Sequence, residues 1–275
     1  MRAGLTRFAR NRMALFGAAV LLCLLVLVAL TPVIYPDDPF KLVGPALQPP
    51  GARFWLGTDT LGRDVAAEIA YGARTSLIIG VGATLAAIIF GAAIGGLAGY
   101  YRGKTETALM RITEFFQTIP AFIFALLIVA ILSPSVKSEI IAIAAVSWPS
   151  IARLVRGEFA ALGGREFVQA CAGLGASDTR IIFRHMLPNC ASSIIAVGSL
   201  LIGTAILLEA GLAFLGLGDP NIMSWGLIIS AGRAVLRSAW WICTFPGIAI
   251  LLTVLGINLI GDGLNEALNP RLRER

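Results

Sequence analysis

Long runs of uncharged, mostly apolar residues alternate with short charged segments along this chain. A helix needs roughly 20 mostly apolar residues to cross the hydrocarbon core of a bilayer. Six runs are candidates, and the fourth is shorter than the others; it spans only with flanking residues or against other helices. They cover residues 13–31, 75–101, 115–136, 140–152, 186–208 and 238–261. The pattern predicts an all-α, polytopic membrane protein with about six crossings.

The runs divide the chain into an ordered series of segments. We expect an N-terminal segment at 1–12, a first membrane helix at 13–31, an external segment at 32–74, a membrane core at 75–264 and a C-terminal tail at 265–275. The first run exceeds the roughly 7 to 15 apolar residues of a signal peptide, and no A-x-A cleavage site follows it. It is therefore interpreted as a retained anchor.

Charge sets the orientation, because Lys and Arg accumulate on the cytoplasmic side. Six crossings put both termini on one side, and if that side is the cytoplasm its segments hold 15 of the 22 Lys and Arg residues. The sequence therefore predicts cytoplasmic termini. The net charge of +6 reflects this topology and does not indicate nucleic-acid binding, because no compact basic face with interleaved aromatic residues is present.

Composition further limits the kinds of functional site that we expect in this chain. With 57% hydrophobic residues, 14% charged residues and a mean hydropathy of +0.83, the chain lacks the profile of a soluble globular protein. A single histidine, His185, and the lack of CxxC or HExxH spacings argue against a metal site. The four cysteines imply no disulfide framework. We expect no catalytic residues in this chain.

The stretch AGYYRGKT at 98–105 fits the loose pattern of a phosphate-binding loop. Such a loop follows a strand and opens a helix, whereas this stretch follows a predicted membrane helix. Tyr100 and Tyr101 suit the aromatic belt at a membrane surface, and Arg102 and Lys104 suit a cytoplasmic loop. We therefore expect no ATP binding at this stretch.

The cytoplasmic loop at 157–189 carries the most specific pattern. Gly163 and Gly164 are expected to end the preceding helix, residues 165–172 have helical composition, and Gly173 and Gly175 can end that short helix in a left-handed conformation. Ser177 or Asp178 can cap a second helix, which Pro188 is expected to interrupt.

The short helix of this loop bears an apolar stripe made by Phe167, Val168, Cys171 and Leu174. The chain offers little of its own to cover such a stripe, so the stripe is expected to need a partner protein. The alternative is a solvated connector. Small residues at 170–173 would let that partner approach the backbone.

QACAGLG at 169–175 and MLPN at 186–189 resemble the EAA signature and its later Leu-Pro in inner-membrane permease subunits of bacterial ABC importers. Gln169 and Cys171 replace the usual Glu and second Ala. The resemblance implies a type I ABC importer permease fold and a helix that couples to a separate ATPase subunit. The implied coupling residues are Phe167, Val168, Gln169, Ala170, Cys171, Gly173, Leu174, Gly175, Leu187 and Pro188.

Further blocks resemble the dipeptide, oligopeptide and nickel permease group. They are WLGTDTLGRDVAAEIAYGARTSL at 55–77, MRITEFFQTIP at 110–120, GLAFLGLG at 211–218, SWGLII at 224–229 and the segment 245–273. This resemblance implies a bacterial inner-membrane location among lipids. It also implies a second permease, an external solute-binding protein and two ATPase subunits that bind ATP and Mg²⁺, with no cofactor on this chain.

Polar residues within the predicted crossings are candidates for the solute pathway, because buried charge in a membrane is costly. Glu209 either faces the solute route or pairs with Arg63, Arg74 or Arg233. Asn258 lies toward the cytoplasmic side, where helix packing is the alternative. Gln117 is a further candidate, and with Pro120 it is expected to mark a kink in the third crossing.

In the external segment, Asp59, Arg63 and Asp64 lie in the GTD and GRD block. They are candidates either for docking the binding protein or the partner permease, or for a local salt-bridged cap. Two other function classes compete with the importer. A secondary transporter or channel would show inverted repeats, and a membrane enzyme would need a nucleophile with a base, or a metal set; neither pattern is evident.

Overall fold

The computed structural model describes residues 11–268, so most of the predicted N-terminal segment and of the predicted tail lies outside the described residues. Within this part of the chain the regular structure is helical, apart from one isolated bridge between Thr58 and Asp64. The helices are α1 Arg12–Ile34, α2 Val65–Tyr101, α3 Gly103–Thr118, α4 Ala121–Leu132, α5 Val136–Leu162, α6 Glu166–Gly173, α7 Asp178–Phe214, α8 Trp225–Gly232 and α9 Trp241–Leu268.

Five of these helices, α1, α2, α5, α7 and α9, are long and apolar enough to cross a membrane. The pair α3 and α4 counts as a sixth candidate only if its two halves form one broken span. The prediction of an all-α protein with about six crossings is confirmed. The short fourth run becomes part of the 27-residue α5 by taking in flanking residues on both sides.

The third run is not one continuous helix, and it forms a crossing only if α3 and α4 together are one broken span. α3 and α4 are bent by 87° at a short break. Ile119 has an extended backbone (φ −85°, ψ 127°) and Pro120 starts α4, as expected when a proline disfavours helical geometry at the residue before it. The predicted kink at Pro120 is therefore confirmed and is sharper than a simple bend.

Close packing of α2 on α5 builds the centre of the molecule. Gly91, Gly95 and Gly99 of α2 lie against the carbonyl groups of Trp148, Ala152 and Arg156 of α5, and a Cβ at any of the three glycines would come within 2.7 Å of a carbonyl oxygen. Both sets repeat every four residues, so the missing side chains of α2 let the two helix backbones approach closely along one face. We call this contact between α2 and α5 the glycine seam.

Pro188 lies inside α7, and the prediction that it interrupts the helix is wrong. The first turns of α7 contain a π-helical segment, Ile181–Met186, and the α-helical part resumes at Leu187. Pro188 thus occupies the first turn of the resumed α-helix, where its missing N–H costs little. The helix therefore runs unbroken from the loop that contains α6 into its apolar part.

α9 packs against both α1 and α7, and Gly17 of α1 meets the backbone of Gly256 in α9. Two tryptophans tie the external side to this bundle: Trp225 Nε1 donates to the carbonyl of Ile69 at 3.0 Å, and Trp241 Nε1 donates to the carbonyl of Thr58 at 3.1 Å. The external segment is thereby fixed on the ends of α2, α8 and α9.

A candidate coupling surface on helix α6

Glycines delimit α6 as the sequence predicts. α5 ends at Leu162 with Gly163 as its C-cap, and α6 runs from Glu166 to Gly173. Ser177 is the residue before α7, although its side chain makes no capping hydrogen bond. The segment between the two long helices therefore contains one short helix and is not an extended connector.

Gly175 ends α6 through a Schellman motif. Its φ of +79° is left-handed, the Ala176 N–H donates to the Cys171 carbonyl at 3.1 Å and the Gly175 N–H donates to the Ala172 carbonyl at 3.0 Å, which is the hydrogen-bond pattern of this motif. The prediction is confirmed for Gly175. It is wrong for Gly173, which is the last residue of the helix and keeps a helical conformation.

The apolar stripe on α6 has two sides. Val168 is only 6% exposed and Cys171 is half-buried, and both pack with residues of α5 and α7, among them Phe159 and Ile181. The expectation that the stripe lacks cover within its own chain is therefore wrong for these two residues. The physical reason is that the ends of the two flanking helices, which carry Phe159 and Ile181, pack against α6.

The other side of the stripe is open. Leu174 is 87% exposed and Phe167 is 42% exposed. Gln169 and Ala170 are exposed as well, and a Cβ placed on Gly173 would meet nothing within 4 Å. One face of α6 is therefore an exposed surface of apolar and small residues. The opposite face packs against α5 and α7.

Leu187 and Pro188 do not extend this surface. Leu187 packs against the same buried cluster as Val168. Leu187 and Pro188 both line an apolar groove between α2 and α7. The structure thus separates these two candidates from the exposed face of α6.

Glu209 is fully buried in α7 and has no arginine partner among residues 11–268. Its Oε2 accepts a hydrogen bond from Ser76 Oγ at 3.0 Å, and Ser76 Oγ accepts one from the backbone N–H of Trp225 at 3.3 Å. The expected pairing with Arg63, Arg74 or Arg233 is wrong: Arg63 lies near Asp59 and Glu68, and Arg233 donates to the Phe214 carbonyl. Glu209 therefore joins α2, α7 and α8 through hydroxyl and backbone groups.

The other two pathway candidates lie apart from Glu209. Asn258 of α9 is half-buried opposite Gly203 of α7, and its Oδ1 has no hydrogen-bond partner within residues 11–268. Gln117 is exposed near the end of α3, next to the bend. The three side chains therefore do not form one cluster.

Asp59, Arg63 and Asp64 form a local cap. Asp59 is 2% exposed and its Oδ1 accepts from the N–H groups of Leu61 and Arg63 at 2.8 Å each. Asp64 caps α2 by accepting from the Ala66 N–H at 2.9 Å. Burial raises the pKa of Asp64, and its backbone hydrogen bonds oppose that shift. The geometry favours the cap, because Asp59 presents almost no surface to a docking partner.

Two buried carboxyl groups escaped the sequence prediction. Glu68 and Glu139 are 3% and 1% exposed, and each has an oxygen without a hydrogen-bond partner in the described part of the chain. Both lie in the first turn of a long helix, where acidic residues are common because they complement the helix dipole. Because acidic residues are ordinary at this position, the sequence pattern did not indicate that these two are buried.

Comparison with known proteins gives consistent matches. The family described as binding-protein-dependent transport system inner membrane component matches residues 91–274, and the N-terminal TM domain of oligopeptide transport permease C matches residues 1–50. A dipeptide transport system permease protein of Alkalihalophilus pseudofirmus is 40% identical, covering 96% of this chain and 88% of the relative.

Two further relatives show the same extent of similarity. A di/tripeptide transport system permease protein of Pseudomonas aeruginosa is 39% identical over 97% of this chain and 90% of its own length. An oligopeptide transport system permease protein of Bacillus subtilis is 35% identical over 98% of this chain and 88% of its own length.

Proposed function

Since this chain belongs to the family of binding-protein-dependent transport system inner membrane components, we propose that it forms one half of the translocation pathway of an ATP-driven peptide importer. ATP hydrolysis in this family resides in separate subunits. Peptides are the proposed solute class because the relatives at 35 to 40% identity are named as dipeptide, di/tripeptide and oligopeptide permeases.

The observation that carries this proposal is the two-sided helix α6. Phe167 and Leu174 offer an apolar surface to a partner, while Val168 and Cys171 fasten the same helix to α5 and α7. A partner that moves α6 therefore moves two membrane helices with it. A transporter needs contacts that differ between two states, and α6 supplies a place where an ATPase can impose that difference.

The same arrangement implies the rest of the assembly. A second permease completes the pathway, two ATPase subunits hold ATP and Mg²⁺, and an external solute-binding protein delivers the peptide. This chain binds none of these cofactors itself. Its N- and C-termini face the cytoplasm of a bacterial cell, in agreement with 15 of 22 Lys and Arg residues on that side.

Reconstitution tests the proposal against a carrier that works alone. The chain, its companion permease and the ATPases are placed in liposomes with the binding protein, and uptake of a labelled peptide is measured with ATP and with a non-hydrolysable analogue. We expect uptake only with ATP and the complete set of subunits. Uptake by this chain without ATPase subunits would instead establish a secondary transporter or channel.

A further inference from the structure

Two adjacent tyrosines at the cytoplasmic end of α2 hold the first residue of α7. Tyr100 Oη donates to Asp178 Oδ1 at 2.7 Å, and Tyr101 Oη donates to Asp178 Oδ2 at 3.3 Å. Both oxygens of one carboxylate are therefore bound by neighbouring side chains. The two phenol rings stand edge to face, with centroids 5.1 Å apart, so each ring limits the movement of the other.

Arg102, the next residue, binds the other end of the loop that contains α6. Arg102 Nη2 donates to the carbonyl of Ala160 at 2.8 Å, near the end of α5. Arg102 has a φ of 49°, a left-handed conformation that is uncommon outside glycine. α2 thus ends in a sharp change of direction that aims the guanidinium at α5.

Ala160 and Asp178 bracket α6 in sequence. Tyr100, Tyr101 and Arg102 at the α2–α3 junction therefore hydrogen-bond to the chain on both sides of α6. The aromatic ring of Tyr100 also packs against the cluster that contains Val168 and Cys171. These contacts involve exposed groups, and exposed polar contacts add little to global stability. Their geometry fits a role in transmission better than one in folding.

We propose that Tyr100, Tyr101 and Arg102 form a clasp that passes movement of α6 to α2. The inference rests on the proposed function and deepens it. Val168 and Cys171 link α6 to α5 and α7 through apolar contacts, whereas the clasp adds directional hydrogen bonds to a third membrane helix. Because α2 is packed on α5 along the glycine seam, a rigid connection at the clasp lets α2, α5 and α7 respond together.

Removal of the two tyrosine hydroxyl groups tests the clasp. The double variant Tyr100→Phe with Tyr101→Phe keeps both rings and loses both hydrogen bonds to Asp178. In the reconstituted importer we expect normal assembly and basal ATP hydrolysis, but at least about a fivefold loss of peptide taken up per ATP, the lower end of usual coupling between sites. Tyr71→Phe is the matched control, because its hydroxyl donates to the Tyr35 carbonyl on the external side.

A second pair of measurements separates transmission from a merely structural role. With Asp178→Ala in place, the tyrosine substitutions should cause no further loss, because their shared partner is gone. Arg102→Gly removes the guanidinium but suits the left-handed backbone. The Arg102→Gly variant should therefore keep or raise the thermal stability while it lowers uptake per ATP. If Arg102 had a purely structural role, thermal stability and uptake per ATP would fall together.

The outcomes distinguish this inference from the proposed function. If the unmodified importer takes up peptide without ATP, both fail. If the unmodified importer is ATP-coupled and the double tyrosine variant keeps its full uptake per ATP, the clasp alone is overturned. Loss of the ATPase subunits from the double variant would also overturn it, because the contact would then serve docking and not transmission.

Discussion

Leu174 offers the sharpest test of the coupling surface. The change Leu174→Ala removes three carbon atoms, each worth about 0.8 kcal/mol when buried. Leu174 is 87% exposed in this chain, so nearly all of that free energy is available to a partner. If an ATPase groove covers the side chain fully, the substitution weakens binding by about 2 kcal/mol, or about 30-fold in Kd.

The assay is binding of purified ATPase subunits to the permease pair held in lipid nanodiscs, measured by surface-based interferometry. Leu61→Ala is the matched control, because Leu61 is an exposed leucine of the external segment, and its removal should leave the ATPase Kd unchanged. Val168→Ala should instead lower the thermal stability, since Val168 is buried within the chain. A change below twofold for Leu174→Ala would refute the assignment of this face to the ATPase.

Two further predictions concern glycines, each with a matched control. Gly99→Ala places a Cβ 2.7 Å from the Arg156 carbonyl oxygen, so we expect a loss of about 1–3 kcal/mol in thermal unfolding, whereas Gly157→Ala has open space and should cost nothing. Gly175→Ala forces an alanine to φ +79°, which costs about 1–2 kcal/mol and should disorder the end of α6; lower uptake per ATP with intact assembly is expected. Gly247→Ala, at an open helical position of α9 away from α6, should behave as the unmodified chain, and equal uptake in both variants would contradict the role of Gly175.

Charge spacing predicted the membrane helices because charge is excluded from the hydrocarbon core. It could not predict their full lengths. α2 begins at Val65 and α7 begins at Asp178, each well outside its charge-free run, because a helix that leaves the membrane tolerates charged residues. In the sequence, Pro120 indicated a break. The 87° angle between α3 and α4, in contrast, depends on how these two helices pack against others.

The cytoplasmic loop was predictable in its local structure and not in its contacts. Gly175 ended α6 in the left-handed conformation that glycine permits, and Gly163 ended α5 as expected although it keeps a right-handed backbone. The division of the apolar stripe into a covered and an open side depends on Phe159 and Ile181, which belong to other helices. Helical periodicity shows that residues share a face, but it does not show which of them a neighbouring helix covers.

The sequence pattern could not predict the long-range polar contacts. Tyr100 and Asp178 are 78 positions apart, and Ser76 and Glu209 are 133 apart. Glu209 was expected to pair with an arginine because a buried charge usually has an opposite charge nearby. A serine hydroxyl fills that place instead, and no feature of a serine within an apolar helix indicates such a partner.

Photo-cross-linking in intact membranes tests the central claim most directly. A benzophenone amino acid is incorporated in place of Leu174 and, as a control, in place of the exposed external Trp55. The account predicts that the probe at 174 captures an ATP-hydrolysing subunit and that the probe at 55 does not. Capture of lipid alone at 174, in membranes where the ATPase is present and active, would contradict it.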